Sequence, residues 1–287
     1  MIRVGPAGWA YKDWDGIVYP RPKPRGFDPL RYLADYFSAI EINTSYYGPP
    51  RASTTRKWVE SVAGHTGFRF TAKLFHAFTH ECKPAPNDEK EFKDGMVPLM
   101  EADRFGTLLA QFPWSFKNTA ENREYVTNLR ARFRDYPMVL EVRHSSWNEV
   151  GILDWLEEID LGICNIDQPL FKRSIKPGAE VTTSIGYIRL HGRNYKNWFS
   201  EKADVRERYD YLYPIEELEP WVDRVNAVAR RTKDTYVMSN NHNFGKATVN
   251  SLQLISILRG ERVSAPPWLV EHYPELREFA AGNDEQS

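Results

Sequence analysis

Short segments in which apolar and polar residues alternate recur along the chain, and they constrain its fold more than any other feature. Eight strand-like segments occur, at residues 2–5, 39–43, 68–73, 107–112, 138–143, 162–167, 186–191 and 235–240, and the second, third, fifth, sixth and seventh show this alternation. Helical patterns separate them, at residues 30–37, 54–61, 123–133, 152–159, 218–232 and 249–258. Strands joined by such crossovers pair in parallel, and eight parallel strands close a filled barrel. We therefore predict an α/β fold, a (β/α)8 TIM barrel, with a doubly wound open sheet as the alternative.

The chain length fits one large domain. A barrel of this kind uses about 250 residues, and the chain has 287. We expect a single barrel domain over residues 1–281 and a flexible C-terminal tail over residues 282–287.

The alternation also predicts which side chains enter the barrel. In segment 39–43, Ile40 and Ile42 share one face and Glu41 lies on the other. Because the apolar face must meet the helices, the polar face is expected to point into the barrel. The same rule applied to segment 162–167 directs Asn165 and Asp167 inward.

The predicted inner face carries more positive than negative charge. Its cations are Arg3, Arg69, Lys73, Arg143 and Arg189, and its carboxylates are Glu41, Glu141 and Asp167. The balance is +2 within a chain of net charge −1. Unpaired buried charge is costly, so we interpret the deeper Arg3 and Arg69 as members of a structural ion-pair network. Barrel active sites lie at the C-terminal strand ends, so the upper charged residues are assigned to a site.

These strand ends define a candidate site for an anionic ligand. Arginine clamps phosphate or carboxylate through two donors, and a histidine transfers protons near neutral pH. The polar turn at residues 239–250 leads into a helix beginning near Lys246, whose free N–H groups attract anions, although an Asn-rich capped turn explains it equally well. Catalytic candidates are Glu41, Glu141, Asp167 and His191. Candidates for ligand binding are Trp9, Asn43, Tyr46, Lys73, Gln111, Arg143, Arg189, Asn240, Asn241, His242 and Lys246.

Composition limits the cofactors and the compartment. No helical two-histidine motif is present, and nearby cations can neutralise the acidic residues, so no cofactor is predicted and a divalent metal stays open. The two cysteines support no disulfide framework, and no signal peptide or membrane-length apolar run occurs. We expect a cytoplasmic protein without membrane contact, and the sequence leaves the question of protein partners open.

Several motifs, in order along nearly the whole chain, resemble the domain of unknown function 72 family. The resemblance implies a (β/α)8 barrel and no assigned reaction. In one departure, Ala7 precedes Gly8, where family members often carry serine or a similar residue, so no hydroxyl acts at this position. The matching motifs are Gly8-Trp9-Ala-Tyr11, Glu41-Ile-Asn43-Thr-Ser-Tyr46-Tyr47, Phe70-Thr-Ala-Lys73, Leu109-Ala-Gln111-Phe112-Pro113, Glu141-Val-Arg143-His144, Tyr187-Ile-Arg189-Leu-His191-Gly192 and Asn240-Asn-His242 with Gly245-Lys246.

Three functions are compatible with these residues. The first is a hydrolase, such as a phosphodiesterase, acting on a phosphorylated or nucleic-acid-derived substrate, with Glu41 or Glu141 activating water. The second is a non-catalytic module that binds nucleic acid or a nucleotide at a local site, since the chain has no basic surplus. The third is a metal-dependent sugar isomerase or epimerase.

Overall fold

The eight predicted strands all form and pair in parallel. The computed structural model describes residues 1–198 and 205–281, so the predicted tail at 282–287 lies outside the described residues. The strands are β1 (Ile2–Pro6), β2 (Ala39–Ile42), β3 (Arg69–Lys73), β4 (Phe105–Gln111), β5 (Met138–Glu141), β6 (Gly162–Asp167), β7 (Ile185–Leu190) and β8 (Asp234–Ser239). Their order in the sheet is β1-β8-β7-β6-β5-β4-β3-β2. The structure is therefore a (β/α)8 barrel, and the open doubly wound sheet is excluded.

Helices follow seven of the eight strands. They are α1 (Pro29–Ala34), α2 (Ala52–Ser61), α3 (His76–Thr79), α4 (Asp88–Glu101), α5 (Ala120–Arg132), α6 (Ile152–Glu158), α7 (Val205–Arg208), α8 (Ile215–Ala229), α9 (Lys246–Arg259) and α10 (Pro267–His272). Short 3-10 turns occur at Lys12–Trp14, Thr44–Tyr46, Ser145–Asn148, Asn243–Gly245 and Pro274–Glu278. Local chemistry fixes several starts: Asp28 caps α1 through the Leu30 and Arg31 amides, and Thr119 caps α5. All six predicted helices are present.

The two ends of the sheet meet where β1 approaches β2. Ala7 forms a parallel bridge with Glu41, and the Gly8 amide donates to the Glu41 carbonyl at 2.9 Å. Gly5 makes this approach possible, because a Cβ atom at that position would lie 1.8 Å from the Ala39 carbonyl oxygen. The contact between the two backbones closes the barrel.

A small apolar cluster fills the barrel interior below the strand ends. Its buried members are Ala39, Leu109, Val139, Cys164, Ile166, Tyr187, Tyr236 and Met238. A larger core packs the outer strand faces against the helices. Among the described residues, no helix is both long and apolar enough to cross a membrane.

Strand β6 faces the opposite way from the prediction. Cys164 and Ile166 belong to the interior cluster, so Asn165 and Asp167 point outward. The reason is the crossover to β7, where residues 168–184 contain no helix. Asn165 instead bonds this extended segment, since its side chain donates to the Glu180 carbonyl at 2.9 Å and accepts from the Glu180 amide at 2.8 Å. A polar outer face is stable here because it satisfies a loop backbone.

Candidate functional site

The C-terminal ends of six strands bring eight predicted site residues together. Alternation on β2, β3, β4, β5, β7 and β8 turns them towards the barrel axis, as the sequence predicted for β2, β3, β5 and β7. They are Glu41, Lys73, Gln111, Glu141, Arg143, Arg189, His191 and Asn240.

Arg189 lies at the centre of this group, between two carboxylates. Its Nη1 donates to Glu141 Oε2 at 2.6 Å, and its Nη2 donates to Glu41 Oε1 at 2.8 Å. All three side chains are fully buried. A weaker bond from Nη1 reaches Gln111 Oε1 at 3.3 Å. Because these charges are shielded from water, each depends on the others for stability.

The remaining carboxylate oxygens are also occupied. Glu41 Oε2 accepts the Tyr187 hydroxyl at 2.8 Å. Glu141 Oε1 accepts Arg143 Nε at 3.1 Å and Nη2 at 3.0 Å. Burial alone would raise the pKa of Glu141, but Arg189, His191 and Arg143 hold this pKa well below its usual range. Glu141 is therefore ionised at neutral pH and is a weak base.

His191 is neutral and held by both ring nitrogens. Burial, together with Arg143 and Arg189, lowers its pKa to about 3 against the opposing effect of Glu141. The Asn240 amide donates to Nδ1 at 3.2 Å, which leaves the proton on Nε2 to donate to Glu141 Oε1 at 3.1 Å. We assign this tautomer from the partners. The imidazole thus links Asn240 to the carboxylate.

Lys73 is the cation at the edge of the cluster. Its side chain is 15% exposed, and Nζ lies 3.9 Å from Glu41 Oε1 and 5.9 Å from the centre of the Tyr46 ring. Burial first, and then Arg189, lowers its pKa to about 8. Nearby, burial followed by Arg143 and Lys73 lowers the pKa of His80 to about 4. Positive potential therefore extends from the cluster to the mouth.

The charge balance at the mouth is positive. Three cations (Lys73, Arg143 and Arg189) accompany two carboxylates, which leaves one net positive charge there. The predicted balance of +2 covered the whole inner face and included Arg3, Arg69 and Asp167. Arg3 pairs with Asp234, and Arg69 pairs with Asp103 at 2.6 Å, both at the opposite end of the barrel. Those two arginines form structural ion pairs, as the sequence indicated.

Asp167, a predicted catalytic residue, lies outside this cluster. Because β6 turns it outward, its carboxylate accepts bonds of 2.9–3.2 Å from Arg193. Burial raises the pKa of Asp167 despite the opposing effect of Arg193. Its predicted inward position is wrong, and its visible role is to anchor the loop after β7.

A cavity of about 330 Å³ opens beside Arg143 and Gln111. The Trp198 ring centre lies 5.5 Å from the Arg143 guanidinium carbon, and Tyr209 packs against Trp198 at 5.9 Å between ring centres. His80 also lines this space. The cavity therefore combines a cation with aromatic walls.

Three other predicted ligand residues lie around the mouth. The Asn43 amide donates to the Tyr11 hydroxyl at 3.3 Å, and Tyr46 packs near Lys73. His242 stacks on Tyr11, with ring centres 4.5 Å apart.

The other three residues that were predicted to bind a ligand are engaged in packing, in hydrogen bonds or in an ion pair. Trp9 packs edge-on against Trp58 in the outer layer, with ring centres 5.3 Å apart. Asn241 donates to the Tyr211 carbonyl and to Asn250 Oδ1, each at 2.8 Å. Lys246 begins α9 as predicted, but its amine is paired with Asp210. The start of α9 therefore presents a neutralised lysine.

Among residues 1–198 and 205–281, no group of three or more His, Cys, Asp or Glu side chains is arranged to hold a metal ion.

Sequence reasoning missed Tyr187, His80 and Arg193 as parts of this region. Tyr187 shares its strand face with Arg189, so the alternation that found Arg189 was a usable signal. His80 and Arg193 lie outside the strands, where no periodicity marks their direction.

Comparisons with known proteins agree with the barrel. The family model described as "Protein of unknown function DUF72" matches residues 3–272. The UPF0759 protein YunF of Bacillus subtilis (strain 168) is 29% identical over 279 residues, which cover 90% of this chain and 95% of that protein. A DUF72 family protein from Thermotoga maritima MSB8 superposes with a TM-score of 0.78 and 33% identity, covering 90% of this chain and 99% of that one. One from Enterococcus faecalis V583 gives a TM-score of 0.79 and 25% identity, covering 90% and 96%.

Proposed function

The chain belongs to the DUF72 family, whose name assigns no reaction, and we propose from the site that the barrel mouth binds an anionic small molecule as an enzyme substrate. The proposal rests on one observation: two cations at the mouth, Arg143 and Lys73, have hydrogen-bond donors that no other described residue uses. Arg143 uses Nε and Nη2 to bond Glu141, and within the described residues its Nη1 has no hydrogen-bond partner. Lys73 Nζ meets its nearest carboxylate oxygen only at 3.9 Å. Both therefore retain donors for a phosphate or carboxylate group.

Phosphoester hydrolysis, the reaction expected from the sequence, requires a group that activates water. Glu141 is poorly suited, because three neighbouring groups keep its pKa low. Glu41 is fully buried and bonded to Arg189 and Tyr187. The geometry thus supports anion binding more strongly than hydrolysis, with Arg143 and Lys73 offsetting the ligand's charge.

Calorimetric titration with inorganic phosphate tests the binding step. Arg143→Met and Lys73→Met each remove a charged donor, and such bonds contribute about 1.5–3 kcal/mol, so each should weaken binding by about tenfold or more. Lys246→Met is the matched control, because its amine is already paired with Asp210. A wild-type protein that binds no phosphate at millimolar concentration, or a control that loses as much affinity, refutes the proposal.

A separate assay addresses hydrolysis. The wild-type protein and Glu141→Gln are incubated with phosphate mono- and diesters, with and without divalent metal. A hydrolase should release phosphate or alcohol at a rate that the substitution lowers. Complete inactivity of the wild-type protein on every ester would refute phosphoester hydrolysis but would not contradict anion binding at the mouth.

Aromatic rings at the cavity favour a second candidate, a non-catalytic site for a nucleotide or nucleic acid. Trp198 and Tyr209 lie beside Arg143, and such rings stack on bases next to bound phosphate. Electrophoretic binding to single- and double-stranded DNA and RNA, measured at two salt concentrations, separates this candidate from an enzyme. Absence of binding at low salt removes it.

A further inference from the structure

The Lys73 amine differs from the other lysine amines that lie near carboxylates. Lys93 Nζ, for example, bonds Glu89 at 2.6 Å, and Lys246 pairs directly with Asp210. Lys73 Nζ is 3.9 Å from Glu41 and makes no hydrogen bond within the described residues. An amine that is buried at a barrel mouth and makes no direct hydrogen bond is better suited to act as a nucleophile than to form a structural ion pair.

The isolation of this amine follows from its neighbours. Arg189 and Tyr187 take up the two oxygens of Glu41, at 2.8 Å each. Glu141 is engaged by Arg143, Arg189 and His191. The carboxylates near Lys73 are thus already bonded, while two guanidinium groups repel a third cation. The ammonium form is disfavoured by burial and by this repulsion, which brings the pKa of Lys73 to about 8.

We propose that Lys73 forms a covalent imine with an aldehyde or ketone that also carries a phosphate or carboxylate group. The inference rests on the proposed anion site, since Arg143 would hold the charged group while the amine meets the carbonyl carbon. Lysines that perform this chemistry are desolvated or lie beside another cationic group, and Lys73 satisfies both conditions.

The reaction requires only the amine and the carbonyl compound. The Nζ lone pair forms a bond to the carbonyl carbon, and the carbonyl π electrons move to oxygen. One proton passes from nitrogen to that oxygen, and the resulting hydroxyl leaves with a second proton as water, which yields the C=N bond. His80 is a neutral imidazole whose pKa is lowered by burial and by the nearby charges of Arg143 and Lys73. It is therefore a candidate carrier for these protons.

Reductive trapping on the wild-type protein tests the proposal. Glycolaldehyde phosphate is added at pH 8 with sodium borohydride, which reduces an imine to a stable secondary amine, and peptide mapping locates the label. At this pH about half of an amine with the Lys73 pKa is neutral, against less than about one in a hundred for an ordinary lysine. We therefore expect labelling of Lys73 roughly a hundredfold faster than of exposed lysines. Glycolaldehyde, which lacks the phosphate, should label Lys73 at least about tenfold more slowly, by the loss of one charge-assisted contact.

Two variants sharpen the assignment. Lys73→Arg keeps the positive charge but cannot form the imine, so labelling should disappear while phosphate binding remains. Lys90→Arg, at an exposed position on α4, should label at Lys73 like the wild type. If Lys73→Arg fails to fold, the wild-type peptide map still decides, because it shows directly which lysine reacts.

The outcomes separate this proposal from the anion site on which it rests. Label at Lys73 that inorganic phosphate slows supports both. Calorimetric binding of phosphate with no preferential label at Lys73 overturns the imine and leaves the anion site intact. Label spread evenly over exposed lysines, with no phosphate binding, overturns both. Label at Lys73 that phosphate does not slow shows a reactive amine but refutes an imine formed with an anion held by Arg143.

Discussion

Removal of Arg189 should destabilise the fold far more than removal of an arginine from the other end of the barrel. Arg189→Met leaves two fully buried carboxylates without their shared cation. Breaking a buried ion pair by deleting one member costs about 3–5 kcal/mol. Glu141 keeps Arg143 and His191, and Glu41 keeps Tyr187, so we expect about 4 kcal/mol.

The matched control is Arg69→Met. Arg69 pairs with one carboxylate, that of Asp103, whose side chain is 86% exposed, so water replaces the lost partner. An exposed pair contributes at most about 1 kcal/mol. Urea unfolding followed by circular dichroism at pH 7 gives both free energies, and thermal melting should show Arg189→Met about 10 °C below wild type.

A further variant tests the cause of the loss. Combining Arg189→Met with Glu41→Gln and Glu141→Gln removes the two orphaned charges, so it should recover part of the lost stability. Equal losses for Arg189→Met and Arg69→Met refute the reasoning, because they would mean that the carboxylates are not shielded from water. Absence of recovery in the triple variant would show that packing, rather than charge, sets the cost.

Three other predictions follow from the same geometry. His191 has a folded-state pKa of about 3, mainly because it is buried, so the unfolded chain binds the extra proton as the pH falls from about 6.5 towards 3. Its stabilising contribution is therefore lost over that window by up to about 1.4 kcal/mol per pH unit, and His191→Gln should flatten this slope in urea unfolding at pH 7 and 5. Asp167→Asn should leave phosphate affinity unchanged in calorimetry, whereas Arg143→Met weakens it, because Arg143 faces the mouth and Asp167 points out of the barrel. Similar losses in both variants would contradict this. Gly5→Ala should lower the free energy of unfolding by about 1–3 kcal/mol or more, while Gly48→Ala, with open space around it, should change little; equal values would show that the strand approach is not tight.

The barrel was predictable because most of its strands obey one rule. Helices cover the outer faces of β2, β3 and β5, so apolar residues must lie outside and polar residues inside. Glu41, Glu141 and Arg189 were found for this reason, along with the strand ends that carry them. All eight strands were located within a few residues of their bounds.

Strand β6 violates that rule, and nothing in its six residues indicates the violation. Its outer face meets the extended segment 168–184, whose backbone requires hydrogen bonds that Asn165 supplies. A polar residue is therefore favoured outside, and the interior takes Cys164 and Ile166. The direction of Asp167 depends on a crossover that folds from a distant part of the chain.

The ion pairs could not be assigned from the sequence either. Strand alternation gives a direction but no partner, so Asp234 and Asp103 were not matched to Arg3 and Arg69. The pairing of Lys246 with Asp210 likewise depends on loop geometry between β7 and β8. A count of charges along the strands therefore leaves out Asp234 and Asp103, which offset the charges of Arg3 and Arg69.

Glu41 belongs to two structures at once, and this makes the closure of the barrel and the charge of the site interdependent. Its backbone forms the bridge that joins β2 to Ala7, while its side chain holds Arg189. Any fluctuation that separates β1 from β2 must also strain the bond to a buried guanidinium. The electrostatic cluster thus helps to hold together β1 and β2, the two strands at the ends of the sheet order. Conversely, a ligand that draws the cations towards the mouth would weaken the backbone contact between Ala7 and Glu41 that closes the barrel.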